Sequence, residues 1–368
     1  MTNKKQAVRS GVTVVAACAL LFGATRLPND WWQVVGQTMA IASVSLQQAD
    51  DTANLLAERL SRPIANAAGT GSTTPSAAKG AGAEQQPMTE PTAAQTDQSV
   101  TPPAKDGSGG LVVEQTVGGG ETQGGIQVKN KSGVTVDVAA ALKADLPFEI
   151  EFGSSEPQVL IYHTHTTEGY MPYDAGYYNE GDVPRNNTYP YNVVAVGDAL
   201  EAELTAAGIA VIHDTTIYDY PNYRGSYERS VVTMEEMLKK HPSIKVTLDI
   251  HRDGLMVNST DKLKPTATIN EKKAAQLMVV CGTLSTDALP HPQWSKNLIF
   301  AARLQEKLEK TYPLLCRPLS LTNARYNQYV TTGSLLIEVG SEGNTLEEAT
   351  YSAHLLGQTL ATLWGADS

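Results

Sequence analysis

The chain has 368 residues, with 28 lysines and arginines against 39 aspartates and glutamates, for a net charge of −11 at pH 7. An acidic balance of that size excludes a nucleic-acid footprint and charge-driven adhesion to anionic lipid. The length admits two domains, but the uneven composition points to one large domain joined to non-globular sequence. Cys18, Cys281 and Cys316 make no disulfide scaffold and lack zinc-ribbon spacing. One pair can form in an oxidising compartment; inert buried thiols are the favoured reading.

In chain order, the first residues set the compartment. Lys4, Lys5 and Arg9 precede "GVTVVAACALLFGAT", and no further charge occurs until Arg26. A basic flank before an apolar run leaves the N-terminus in the cytoplasm and sends the rest outward. The run is shorter than the about 20 residues a spanning helix usually needs. A cytoplasmic tail and uncleaved signal anchor over 1–27 is the favoured reading. A cleaved signal peptide stays open, although no small-x-small site precedes Pro28. The expectation is a single-pass protein of the cell membrane with its bulk outside the cytoplasm.

Residues 28–66 read as an extracytoplasmic helical segment, with Trp31 and Trp32 at the interfacial level. Residues 67–125 turn to Ala, Gly, Ser, Thr, Pro and Gln. So few large apolar side chains cannot offset the chain entropy of ordering, which predicts a disordered linker. Residues 126–368 read as the folded domain. There "QVLIYHT", "IAVIHD", "IKVTLDI", "QLMVVCG" and "SLLIEVG" are short apolar runs. Between them lie helical patterns: "NVVAVGDALEAELTAAG", "ERSVVTMEEMLKKH", "WSKNLIFAARLQEKLEKTY" and "TLEEATYSAHLLGQTLATLW". The alternation predicts an α/β fold, a mostly parallel sheet with helices on both faces. Asn344 and Thr345 are expected to cap the last helix, with Glu347 and Glu348 favourable in its first turn.

Ligands of open α/β sheets bind beyond the carboxyl ends of the strands. Three predicted strands end there in acid–base or metal-competent residues: "HTHTTE", "LDIHRDG" and "LLIEVGSE". The spacing suits a catalytic zinc site, which needs three protein ligands and one open position. His165, Glu168 and His251 are the candidate ligands. Glu338 is the candidate general base, and Arg252 the candidate oxyanion stabiliser. Asp249 or Asp253 is expected to orient a ligand imidazole. His163 and His165 share one side of a strand, so periodicity does not choose between them; position past the apolar run and the His-x-x-Glu spacing favour His165. His213, His241, His291 and His354 are expected to be structural or surface residues. Eleven of fifteen tyrosines fall between Tyr162 and Tyr227. The long loop over 169–191 is therefore expected to shape a groove beside the ligands.

The segments "VLIYHTHTTEGY", "NVVAVGDAL", "DYPNYRGSYERS", "VTLDIHRDG", "ARYNQ" and "SLLIEVGSEGNTLEEA" resemble the stage II sporulation protein P family, in order and spacing, from about residue 128 to the C-terminus. The resemblance implies a zinc-dependent N-acetylmuramoyl-L-alanine amidase with a phosphorylase/hydrolase-like, amidase_3-type fold. It further implies a peptidoglycan substrate, endopeptidase action on crosslinks, Zn2+ as cofactor, and sporulation proteins D and M as partners in engulfment. On the amidase pattern His165 and His251 are zinc ligands and Glu338 is catalytic. Related amidases often place the carboxylate ligand before the first long helix, where this chain has "NNTYPYN"; Glu168 is the expected replacement. Tyr329 stands where the family pattern leads one to expect aspartate. A zinc carboxypeptidase-like peptidase and a non-catalytic wall-binding scaffold remain the competing readings.

Overall fold

The computed structural model describes residues 101–182, 185–187, 191–286 and 288–366. The segments read as tail and anchor (1–27) and as outer helix (28–66) lie outside the described residues. Among the described residues, no helix is long and apolar enough to cross a membrane.

The strands are β1 (Val112–Gln115), β2 (Glu121–Gln123), β3 (Ile126–Lys131), β4 (Val159–Tyr162), β5 (Val211–His213), β6 (Val246–Asp253), β7 (Lys262–Ile269), β8 (Lys272–Ala275), β9 (Leu277–Gly282), β10 (Leu319–Thr322) and β11 (Gly333–Ser341). The helices are α1 (Val138–Lys143), α2 (Val193–Ala206), α3 (Ser226–Lys240), α4 (Trp294–Thr311) and α5 (Leu346–Trp364). Eight strands form one sheet in the order β2-β3-β10-β9-β11-β6-β4-β5, and β1-β7-β8 form a second.

β4 explains why the β11-β6-β4-β5 end of the large sheet is parallel. All four of its residues are buried, so the strand has no polar face to turn outward and must be covered on both sides. Val159 and Ile161 pack into the main core with Val193, Val196 and Leu200 of α2. Leu160 and Tyr162, on the other face, meet Met234 of α3 and Ile244. Each such side chain contributes about 1.5–3 kcal/mol by leaving water, which keeps β4 off the edge of the sheet, between β6 and the edge strand β5.

Two pairings of the large sheet are antiparallel. β2 folds back on β3, and β9 runs against β11. The sheet is therefore mixed, not uniformly parallel. The second reversal follows from a hairpin that the apolar-run pattern missed. β7 and β8 turn at Asn270 and Glu271, both with positive φ (49° and 66°), the backbone of a two-residue hairpin turn. β1 and β2 also correct the expected linker: both lie within 67–125, in its last part. β1 pairs with β7 and β2 with β3, so backbone pairing supplies what few apolar side chains cannot. The helix caps follow the sequence. Asn192 caps α2, and Thr345 with Glu348 forms a reciprocal capping box on α5.

Candidate active site

β4, β6 and β11 are adjacent in the sheet and parallel, so their carboxyl ends open on one side. His165 and Glu168 lie on the turn that leaves β4. The Glu168 amide donates to the His165 carbonyl at 3.0 Å, so the His-x-x-Glu spacing closes a single turn. His251 lies on β6, and Glu338 is its register partner on β11. The pairing between those strands shifts between Glu338 and Ser341, and Gly340 takes φ 67° there. Such a bulge bends the strand end and fixes where the preceding carboxylate points.

His251 Nδ1 lies 3.2 Å from Glu168 Oε2. Its Nε2 lies 2.9 Å from Asp249 Oδ1 but out of line for a hydrogen bond, and is buried without a partner. The rings of His165 and His251 stand perpendicular, with centroids 5.2 Å apart. His165 Nδ1 is 3.1 Å from Ser226 Oγ, and its Nε2 is 3.0 Å from the hydroxyl of Tyr223. Glu168 is further held by the Arg252 amide at 3.1 Å and by Arg185 at 3.5 Å.

The charges follow from these contacts. Burial works against charge on His251, yet the carboxylates of Asp249 and Glu168 outweigh it and hold the imidazole's pKa well above its ordinary value. Burial also opposes ionisation of Glu168, but the His251 contact brings its carboxyl down to about 2. Burial and the neighbouring His251 lower His165 to about 4. Glu338 moves the other way: burial pushes it up to about 8, and its Oε2 has no hydrogen-bond partner.

Zinc fits the donor set. Two imidazoles and a carboxylate are its usual ligands, and the carboxylates that keep a proton on His251 would equally favour a cation there. The ligand atoms are near but not closed. Among the described residues, a His/Asp/Glu trio with ligand atoms all within 4.8 Å of one another occurs at Asp198, Glu201 and His213, and not at His165, Glu168 and His251. Freeing His165 Nε2 requires displacing Tyr223, which is half exposed.

Two other expectations resolve differently. Alternation along β6 puts the Arg252 side chain on the face opposite His251. Its Nε donates to the Gly169 carbonyl at 3.1 Å, so it braces the turn that carries Glu168. The structure does not bring that guanidinium to the His251 side. Asp249, not Asp253, faces the imidazole; Asp253 pairs with Arg317 at 2.8 Å. Buried Arg317 keeps Nε and Nη2 without partners, and its charge acts on Glu338. No motif marks Arg317 in the sequence. Nor do the described residues of the 169–191 loop supply the rings seen stacked on the histidines. Tyr223, from the segment before α3, stacks on His165 (4.4 Å, 20°), and Tyr227, in the first turn of α3, stacks on His251 (6.4 Å, 14°). Within the loop, Tyr173 packs with Val112 of β1.

Fold and site together define a mixed α/β protein with imidazoles and carboxylates gathered beyond the carboxyl ends of adjacent parallel strands. A profile of the family described as Stage II sporulation protein P (SpoIIP) matches residues 42–361, and the chain belongs to that family. Stage II sporulation protein P of Bacillus subtilis (strain 168) is 32% identical over 221 residues. The match covers 57% of this chain and 52% of that relative, about half its length. Among solved structures, the N-acetylmuramyl-L-alanine amidase Ami1 of Mycobacterium smegmatis matches with a TM-score of 0.34 and 15% identity, over 58% of this chain and 100% of that one. The catalytic domain of CwlV, an N-acetylmuramoyl-L-alanine amidase from Bacillus (Paenibacillus) polymyxa var. colistinus, matches with a TM-score of 0.34 and 13% identity, over 57% and 99%. Likeness at that level leaves the amidase activity with those two proteins.

Proposed function

We propose that this protein is a zinc-dependent peptidoglycan hydrolase that cleaves the amide between N-acetylmuramic acid and L-alanine. On this reading it works in sporulation, anchored in the cell membrane with its hydrolase domain outside, alongside sporulation proteins D and M. Endopeptidase action on peptide crosslinks belongs to the same proposal. The observation that carries it is the gathering of His165, Glu168, His251 and Glu338 at the carboxyl ends of β4 and β6 and on β11. Family membership adds the sporulation setting.

His165, Glu168 and His251 would hold the metal, which when bound supplies a Lewis acid and a water that ionises near neutral pH. The Arg252 amide and Arg185 keep the Glu168 carboxylate in place. Asp249 faces His251 and fixes its ring, the part an outer carboxylate plays at such centres. Glu338 takes a proton from the attacking water and returns it to the leaving amine, a task suited to a carboxylate whose pKa burial has brought near neutrality. Arg317, whose charge acts on Glu338, has two unpartnered nitrogens, Nε and Nη2, that could donate to the oxyanion. Tyr223 and Tyr227 give apolar faces with hydroxyl edges to the substrate's sugar or peptide.

The full chain, purified in detergent with Zn2+, is expected to release stem peptides bearing free N-terminal L-alanine from sacculi. Release of C-terminal D-alanine alone would favour the carboxypeptidase-like reading. Identical products from wild type and Glu338→Gln would leave only a scaffold.

A further inference from the structure

The trio that does close is remote from Glu338, at the outer edge of the large sheet. Asp198 and Glu201 are three residues apart on α2, so they share one face of the helix. His213 ends the edge strand β5. Its Nδ1 lies 3.0 Å from Asp198 Oδ1 and 3.5 Å from Glu201 Oε2. These spacings bracket the about 3.3 Å expected between two ligands of a tetrahedral ion with bonds of about 2.0–2.1 Å.

Proton bookkeeping makes the arrangement specific. A carbonyl oxygen only accepts, so His163 Nδ1, 2.9 Å from the Ile250 carbonyl, carries a hydrogen. His163 is fully buried, and its two ring nitrogens face that carbonyl and His213, not a carboxylate; it is therefore neutral, with a lone pair at Nε2. That lone pair faces His213 Nε2 at 2.8 Å, so His213 must donate there. Neutral His213 then has a lone pair at Nδ1, on a side chain only 4% exposed, aimed at two carboxylates that cannot donate. Three acceptor groups converge, an arrangement that a shared proton or a metal cation would satisfy. The outer-shell contact has the form of a metal site. A ligating histidine ordinarily donates its other ring N–H to a fixed acceptor, and Ile250, through His163, fixes this one. Gly197 shows how closely α2 is drawn in. A Cβ there would lie 2.4 Å from His213 Nε2 and 2.8 Å from His163 Nε2. Both acidic side chains are 38% exposed, so the site opens to solvent.

We propose that Asp198, Glu201 and His213 bind a divalent transition-metal cation of the zinc type, at a second site independent of His165, Glu168 and His251. With water as fourth ligand it ties α2 to β5. Through His163 it also steadies the end of β4, two residues before His165.

The test is metal content of the full chain, saturated with Zn2+ and desalted. The double variant D198N/E201Q is expected to lose one zinc per chain relative to wild type. That loss supports the second site even where His251→Ala leaves the zinc content unchanged, an outcome that would count only against the catalytic reading. D198N/E201Q retaining wild-type zinc content overturns the proposal. Should the double variant not fold, zinc-edge anomalous diffraction on the wild type decides: a peak among the three side chains is expected, and its absence after equilibration with Zn2+ overturns the site.

Discussion

Two histidines in this molecule each face a pair of carboxylates, and their surroundings separate them. His251 is enclosed with Glu168 and Asp249, whose side chains are 7% and 2% exposed. His213 is equally enclosed, but Asp198 and Glu201 stand 38% exposed at the rim. In the first cluster the acids have lost their hydration and act strongly on the imidazole; in the second, water still screens them. The first arrangement favours tuned chemistry and the second favours attachment. Each prediction below tests that division.

The largest effects should come from the enclosed cluster. Glu338→Gln keeps the shape but removes the base, and hydrolysis of sacculi should fall by about 10²–10⁴-fold while zinc content stays at the wild-type level. His251→Ala should abolish hydrolysis and lose one zinc per chain too. Equal zinc content in these two variants would contradict the division of roles between them. Chelator should likewise stop hydrolysis, and Zn2+ should restore it; activity that persists through exhaustive chelation would remove the metal from the mechanism.

Next in size are changes to buried support. Asp249→Asn leaves His251 with one carboxylate and weakens the Asp249 contacts to the Thr164 amide and hydroxyl, at 2.8 and 2.7 Å. Breaking a buried charge pair from one side costs about 3–5 kcal/mol, so a clear fall in Tm is expected in metal-free protein. Gly197→Ala presses a methyl into the His163–His213 contact. Overpacking of this kind costs about 1–3 kcal/mol, and urea midpoints would measure it. An unchanged midpoint would mean that α2 can move away from β5 without loss, against the close approach argued for that cluster.

Much of this was legible in the sequence, for a physical reason. Strands buried along nearly all their length, such as β4 and β11, read as apolar runs, so a charged or imidazole residue interrupting or closing one stands out. His165, Glu168, His251 and Glu338 stand out that way as candidates, and the fold brings them near one another. The hairpin β7–β8 does not stand out, because "KLKPTATINEKKAA" alternates weakly and turns on Asn-Glu without glycine. Arg317 was invisible because its importance comes from Asp253 and Glu338, remote in the chain and adjacent only through β6, β9 and β11. The cluster at His213 was missed for a related reason. Two acids on a helix face look like solvated charge, and the signal lies in the hydrogen on His163, which no spacing rule reports.

The smallest expected effect is the most discriminating for the comparison. In metal-free protein, Asp198→Asn removes a carboxylate that is more than a third exposed, and such ion pairs contribute about 0–1 kcal/mol. The urea midpoint in chelator should therefore barely move, and raising the salt should narrow the difference further. Adding Zn2+ should stabilise the wild type more than the variant, because an ion that binds only the folded state adds stability that grows as the logarithm of one plus its concentration over Kd. A large loss for Asp198→Asn in chelator would mean that the rim acids act like the enclosed ones. The two clusters would then differ in position but not in kind.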